Sequence, residues 1–197
     1  MTNKVLNKEK INKLIETFRR GDFHKSLEIS NFLLSKFGNE PFLYNLKGMT
    51  EIKLNEFEVS LRSFKKAIEI NENYVEAYNN LATSYINLGR FEKAIECLEK
   101  AIKIKPLYSN AFNNLASAQS DLGKYNDALN SFNKILDFEP NYPGVKENII
   151  KILTYFNPIN TNLNKYTRLN SDLKNINIDG DLSDANIIKF YKTCNEM

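Results

Sequence analysis

An all-α solenoid of antiparallel helix pairs is the fold that this sequence predicts. A segment near its middle, Ala77-Tyr-Asn-Asn-Leu-Ala82, returns 34 residues later as Ala111-Phe-Asn-Asn-Leu-Ala116. At the same shift Leu88-Gly89-Arg90-Phe91 returns as Leu122-Gly123-Lys124-Tyr125, and Lys105-Pro106 as Glu139-Pro140. Within one period, Tyr78, Leu81, Ala82 and Tyr85 fall at i, i+3, i+4 and i+7, the stripe of an amphipathic helix. A fixed period of this length marks a repeat architecture, in which one helix pair cannot bury its own apolar face and neighbours must stack.

Carried backward, the frame picks up Tyr44-Asn45-Leu46-Lys47-Gly48, Leu54-Asn55-Glu56-Phe57 and Lys66-Ala67, and before them Arg20-Gly21-Asp22-Phe23 and Ser26-Leu27. Four units result, at about 7–40, 41–74, 75–108 and 109–142. In each, a first helix is followed by a turn and a second helix. Ala94, Leu98 and Ala101 form the second stripe of the third unit. Leu88-Gly89-Arg90 separates its two helices, and Gly89 supplies the left-handed residue that ends a helix at least cost. Ala82 and Ala94 are small where tightly packed helices cross, and Pro106 stops the second helix. On the outer face of that helix, Glu96 with Lys100 and Glu99 with Lys103 are spaced for i, i+4 ion pairs.

These units resemble the tetratricopeptide repeat. That pattern has an aromatic at the fourth place, Leu and a small residue at the seventh and eighth, and an aromatic at the eleventh. Small residues follow at the twentieth and twenty-seventh, with Pro near the thirty-second. The third unit matches with Tyr78, Leu81, Ala82, Tyr85, Ala94, Leu98, Ala101 and Pro106. The fourth matches with Phe112, Leu115, Ala116, Ala128, Phe132 and Pro140, but has Gln119 for the usual Tyr. The second keeps Tyr44, Gly48, Phe64 and Ala67, yet puts Lys47 and Glu51 at apolar places, and the first keeps mainly its turn and second helix. The resemblance implies a right-handed superhelix whose first helices line a concave groove.

Beyond Pro140, Val145 to Leu153 read as a capping helix or the start of a fifth unit at 143–156, closed by Asn157-Pro158. The solenoid is thus expected over 1–156, and a non-repeat, partly helical segment over 157–197. There Leu163, Tyr166, Leu169 and Leu173 space as one helix. Asn175 to Gly180 read as a turn, and Ser183 as the cap of a last helix holding Ile187, Ile188, Tyr191 and Cys194. No stop signal precedes Met197, so the chain reads as a piece of a longer protein, the tail beginning a further domain.

Composition argues against most chemistry. The 27 basic and 24 acidic side chains leave a charge of only +3, without the basic stripe of a nucleic-acid binder. Cys97 and Cys194 have neither disulfide-framework nor metal-ligand spacing and read as small apolar filler. His24, the single histidine, sits at the polar start of a helix beside Asp22 and Lys25, so a histidine triad or multi-histidine metal site is unavailable. Gly21, Gly48, Gly89 and Gly123 belong to the repeat, and no phosphate loop follows any of them. No apolar run reaches membrane-spanning length, and the first residues lack the apolar core of a secretory signal. The expectation is a cytoplasmic protein that is no enzyme, with no cofactor, metal, nucleic acid or membrane.

The groove residues that the resemblance implies are those not used in packing. Candidates for peptide binding are Asn45 and Met49; Glu76, Asn79, Asn80, Thr83 and Asn87; Asn110, Asn113, Asn114 and Ser117; and Asn148. With Phe42 and Ile52 beside Met49, they make a neutral, polar groove with one apolar patch. The carboxylate clamp of chaperone-binding relatives needs Lys and Arg where this chain has Asn45, Met49, Asn80, Asn110 and Asn114, so its cations are missing. The groove is more similar to the asparagine ladder of O-linked N-acetylglucosamine transferase, because Asn12, Asn80, Asn114 and Asn148 occupy the sixth place, Leu46 interrupting. A carboxamide both donates and accepts, so a row of them can pair with peptide main chain. The same asparagines can instead join helix to helix, and the chain carries 29 asparagines in all. The function this implies is a scaffold holding a protein or peptide partner, with self-association as a further possibility. The alternative is the recruiting region of a larger glycosyl- or sulfotransferase.

Overall fold

The computed structural model describes residues 8–155, and the expected helices of the tail lie outside them. One compact unit ends at Tyr142 and a second begins at Pro143. The first unit holds α1 (Lys8–Arg19), α2 (Phe23–Lys36), α3 (Pro41–Lys53), α4 (Phe57–Ile70), α5 (Val75–Asn87), α6 (Phe91–Ile104), α7 (Ser109–Asp121) and α8 (Tyr125–Phe138). In the second, α9 runs Val145–Tyr155, where the sequence predicts a capping helix. From α3 to α8 every boundary recurs at the 34-residue shift. Each helix packs on the next, and the first helices α3, α5 and α7 also pack side by side, so the first unit is a helix-pair solenoid.

The turns follow from backbone chemistry. Gly21, Gly89 and Gly123 all have positive φ at the fifteenth place of their units. The second unit has Asn55 there at φ 61°, and asparagine is the side chain that most readily takes this conformation. Asp22 also caps α2, accepting from the Lys25 backbone N–H at 3.2 Å.

Leu81, Ala82, Ala94, Leu98 and Ala101 are all buried, as their spacing predicts. The crossing of one unit's second helix with the next unit's first is built from small side chains. Ser26 meets Thr50 at 3.1 Å and Ser60 meets Ser84 at 2.7 Å, hydroxyl to hydroxyl, while the next crossing has the fully buried Ala94 and Ala118 at the equivalent places. A hydroxyl fits where a methyl does, provided it finds a partner.

Polar residues at the eleventh place are accommodated in the same way. Glu51 is 1% exposed, accepting from Ser63 Oγ at 2.6 Å with the Lys47 ammonium 3.8 Å away. In the fourth unit, Gln119 accepts from Ser131 at 2.8 Å. A serine twelve residues downstream is therefore the signal in the sequence that makes each polar intruder tolerable. Burial raises the Glu51 carboxyl above its ordinary value, with Ser63 and Lys47 pulling the other way. Neither expected ion pair on α6 closes to bonding distance. Pairs seen among the described residues include Arg20–Glu16, Lys25–Glu28, Lys66–Glu69, Lys47–Glu51 and, between units, Arg90–Glu58. Exposed Glu and Lys gain little by pairing and stay solvated.

Candidate functional site

The first helices carry the expected groove residues in rows, one residue per helix at each row. The second place holds Phe42, Glu76 and Asn110, the ninth Met49, Thr83 and Ser117. Phe42, Met49 and Ile52 are half-buried; Phe42 and Met49 pack on the core around Leu14, Leu33, Leu43 and Leu46. Glu76, Asn87, Asn110 and Ser117 are exposed, and Asn80, Thr83, Asn113 and Asn114 are half-buried. Asn148 is exposed on α9, in the second compact unit.

Asn45 and Asn79 are buried, and their amides are engaged inside the protein. Asn80 Nδ2 donates to Asn45 Oδ1 at 3.0 Å, and Asn114 Nδ2 donates to Asn79 Oδ1 at 3.0 Å and to Thr83 Oγ1 at 3.4 Å. The sixth-place asparagines thus bond the fifth-place asparagines of the preceding unit, joining α3 to α5 and α5 to α7. Asn45 also donates to Met49 Sδ at 3.8 Å. Between the first and second units the same two places hold Ile11 and Leu46, so that junction is apolar.

A row of tyrosines was missed in reading the sequence. Tyr74, Tyr108 and Tyr142 close successive units, and their 34-residue spacing was the available signal. Tyr142 Oη donates to Asn110 Oδ1 at 2.7 Å. Burial pushes the Tyr74 hydroxyl above the ordinary phenol value, and the Glu76 charge pushes the same way. Tyr108 is also raised, chiefly by burial; a hydrogen bond to Asn110 opposes this and the Glu76 charge adds to it. The Lys105 ammonium stands 4.9 Å over the Tyr108 ring.

Elsewhere, a 370 Å³ cavity is lined by Ile68, Glu69, Glu72, Asn73, Tyr78, Lys100, Lys103 and Ile104, none of them an expected groove residue. Burial pushes the half-buried Cys97 thiol up to about 11, which keeps it protonated at neutral pH. His24 is exposed. Among the described residues no group of three or more His, Cys, Asp or Glu is placed to hold a metal ion, and no helix is long and apolar enough to cross a membrane.

Three family models match the sequence: a tetratricopeptide repeat at 75–108, a TPR repeat at 48–89 and a further tetratricopeptide repeat at 97–130. Among curated proteins none matches. Solved structures are similar in fold at low identity. MamA from Desulfovibrio magneticus RS-1 (residues 41 to the end) is 13% identical with a TM-score of 0.67, over 96% of this chain and 96% of that one. TTC0263, a thermophilic TPR protein of Thermus thermophilus, is 16% identical with a TM-score of 0.67, over 96% and 99%. The first TPR of Spaghetti (RPAP3), bound to the HSP90 peptide SRMEEVD, is 20% identical with a TM-score of 0.56, over 57% and 90%.

Proposed function

The chain belongs to the tetratricopeptide-repeat family, and on that premise we propose that it is a protein-interaction scaffold whose first-helix groove holds an extended peptide of a partner protein. One observation carries this reading. The groove side chains Phe42, Glu76, Thr83, Asn87, Asn113 and Ser117 keep accessible surface, while the asparagine pairs behind them hold the helices in register. A peptide laid across them would meet hydroxyls, amides and one apolar patch, a surface suited to main chain and uncharged side chains. The HSP90 peptide on the RPAP3 domain ends in acidic residues. This groove has Asn45, Met49 and Asn80 where a clamp on such an end would need cations, so its ligand is of another kind. Asn80 and Asn114 spend Nδ2 on neighbouring helices, so their carbonyl oxygens are the atoms that would meet a peptide N–H. The transferase alternative draws no support from the relatives found.

The test is a random-peptide display selection on the full chain, beside a variant carrying Thr83→Arg and Ser117→Arg. Both substitutions fall on accessible groove positions, so helicity by circular dichroism should hold while the selected peptides are lost. Peptides that bind the variant equally well would place the binding surface elsewhere.

A further inference from the structure

Along the groove the chemistry changes from one unit to the next. At the second place Phe42 gives way to Glu76 and then Asn110, and at the ninth Met49 gives way to Thr83 and then Ser117. Large apolar side chains on α3 thus stand on the helix beside the one that carries the Glu76 carboxylate. Glu76 is exposed and takes part in none of the ion pairs among the described residues, and Lys105, although stacked on Tyr108, does not reach ion-pair distance from it.

Resting on the groove reading above, we propose that the bound peptide carries one large apolar and one basic side chain about three residues apart, the apolar one on Phe42 and Met49 and the basic one at Glu76. The spacing follows from geometry. Helices α3 and α5 pack directly, so equivalent side chains on them stand one interhelical distance apart, about 10 Å. An extended peptide advances about 3.3 Å per residue, which makes that distance about three residues in either chain direction. The carboxylate supplies the charge that a lysine or arginine needs on leaving water. The asparagine pairing of Asn45 with Asn80 fixes the distance between the two subsites, since it joins the helices that carry them.

A 12-residue random display library, selected separately on the wild-type chain and on Glu76→Gln and Glu76→Lys, tests this. Wild type should enrich peptides with a Lys or Arg about three residues from a large apolar residue. A fluorescent synthetic peptide of the enriched sequence should bind Glu76→Gln about tenfold more weakly. Glu76→Lys should select acidic residues at the same position. Enriched peptides without a basic residue, or an unchanged basic preference in Glu76→Lys, would overturn the proposal and leave the groove reading standing. Failure of any peptide to enrich on wild type would remove both.

Discussion

The second and third units have the same backbone plan and opposite chemistry. In the third, the packing places hold Leu81, Tyr85 and Cys97, and the groove row holds Glu76 and Thr83. In the second, packing admits Lys47, Glu51 and Ser63, while the groove row holds Phe42 and Met49. The third unit is conventional, apolar within and polar on its groove; the second is inverted in part. The comparison teaches that stacking tolerates a charged residue in the seam if a hydroxyl and a counter-ion reach it, and that the second and ninth places of the first helix can change chemistry from unit to unit on one backbone plan.

Five substitutions, in four tests, probe that difference in falling order of effect. Phe64 is fully buried and its ring fills the space under Gly48, where an added Cβ would meet it at 2.6 Å. Phe64→Ala should cost about 3–5 kcal/mol in urea unfolding, as for other large core aromatics. A loss well under about 2 kcal/mol would mean that the second unit is loosely packed, its polar seam having weakened it.

Next, Ser63→Ala removes the hydroxyl that serves a buried carboxylate, and about 1–3 kcal/mol should be lost. Ser131→Ala removes the equivalent partner of the neutral Gln119, at about 1 kcal/mol. Equal losses would show that the charge on Glu51 is irrelevant to the seam.

Third, Glu51→Gln copies the fourth unit's solution into the second and should raise stability at pH 7 by about 1 kcal/mol. The sign follows from burial, which raises the Glu51 carboxyl in the folded state above its unfolded value. Its contribution is then most favourable in acid and declines as pH rises through the raised value. The advantage of Glu51→Gln over wild type should accordingly be larger at pH 7 than at pH 4 in parallel thermal melts. An advantage that grew in acid would mean that Lys47 holds the carboxylate below its ordinary value.

Last, Asn55→Gly relieves a non-glycine residue at φ 61° and makes the second turn like the others. The gain should be a few tenths of a kcal/mol, because asparagine already tolerates this conformation and glycine loses more entropy on folding. A melting temperature lowered by the change would mean that the entropy lost by glycine on folding outweighs the strain relieved.

Much of this molecule was legible beforehand. The repeat period placed the helices from α3 to α8, because their boundaries are set by local signals, a glycine or asparagine in every turn and a proline after α6 and α8. The stripe Leu81, Ala82, Tyr85 marked the core for the same reason. The groove was less legible. Asn45 and Asn79 stand at surface places in a single helix but are buried once the next helix packs beside them. The tyrosine row escaped notice because each tyrosine lies in a loop, where no helical spacing marks it.

What the sequence determined by itself was therefore the unit: two helices, their turn and the faces that must be buried, all written in contacts between residues close along the chain. What only the tertiary structure decided was how each polar side chain spends its hydrogen bonds. Asn80 pairs with Asn45 and Asn114 with Asn79, Ser63 serves Glu51, and Glu76 keeps no partner in an ion pair among the described residues. The reason is physical. An amphipathic pattern depends on spacing alone, whereas a carboxamide or carboxylate can satisfy itself in several ways, and only the neighbouring helix, brought to within about 10 Å, selects among them.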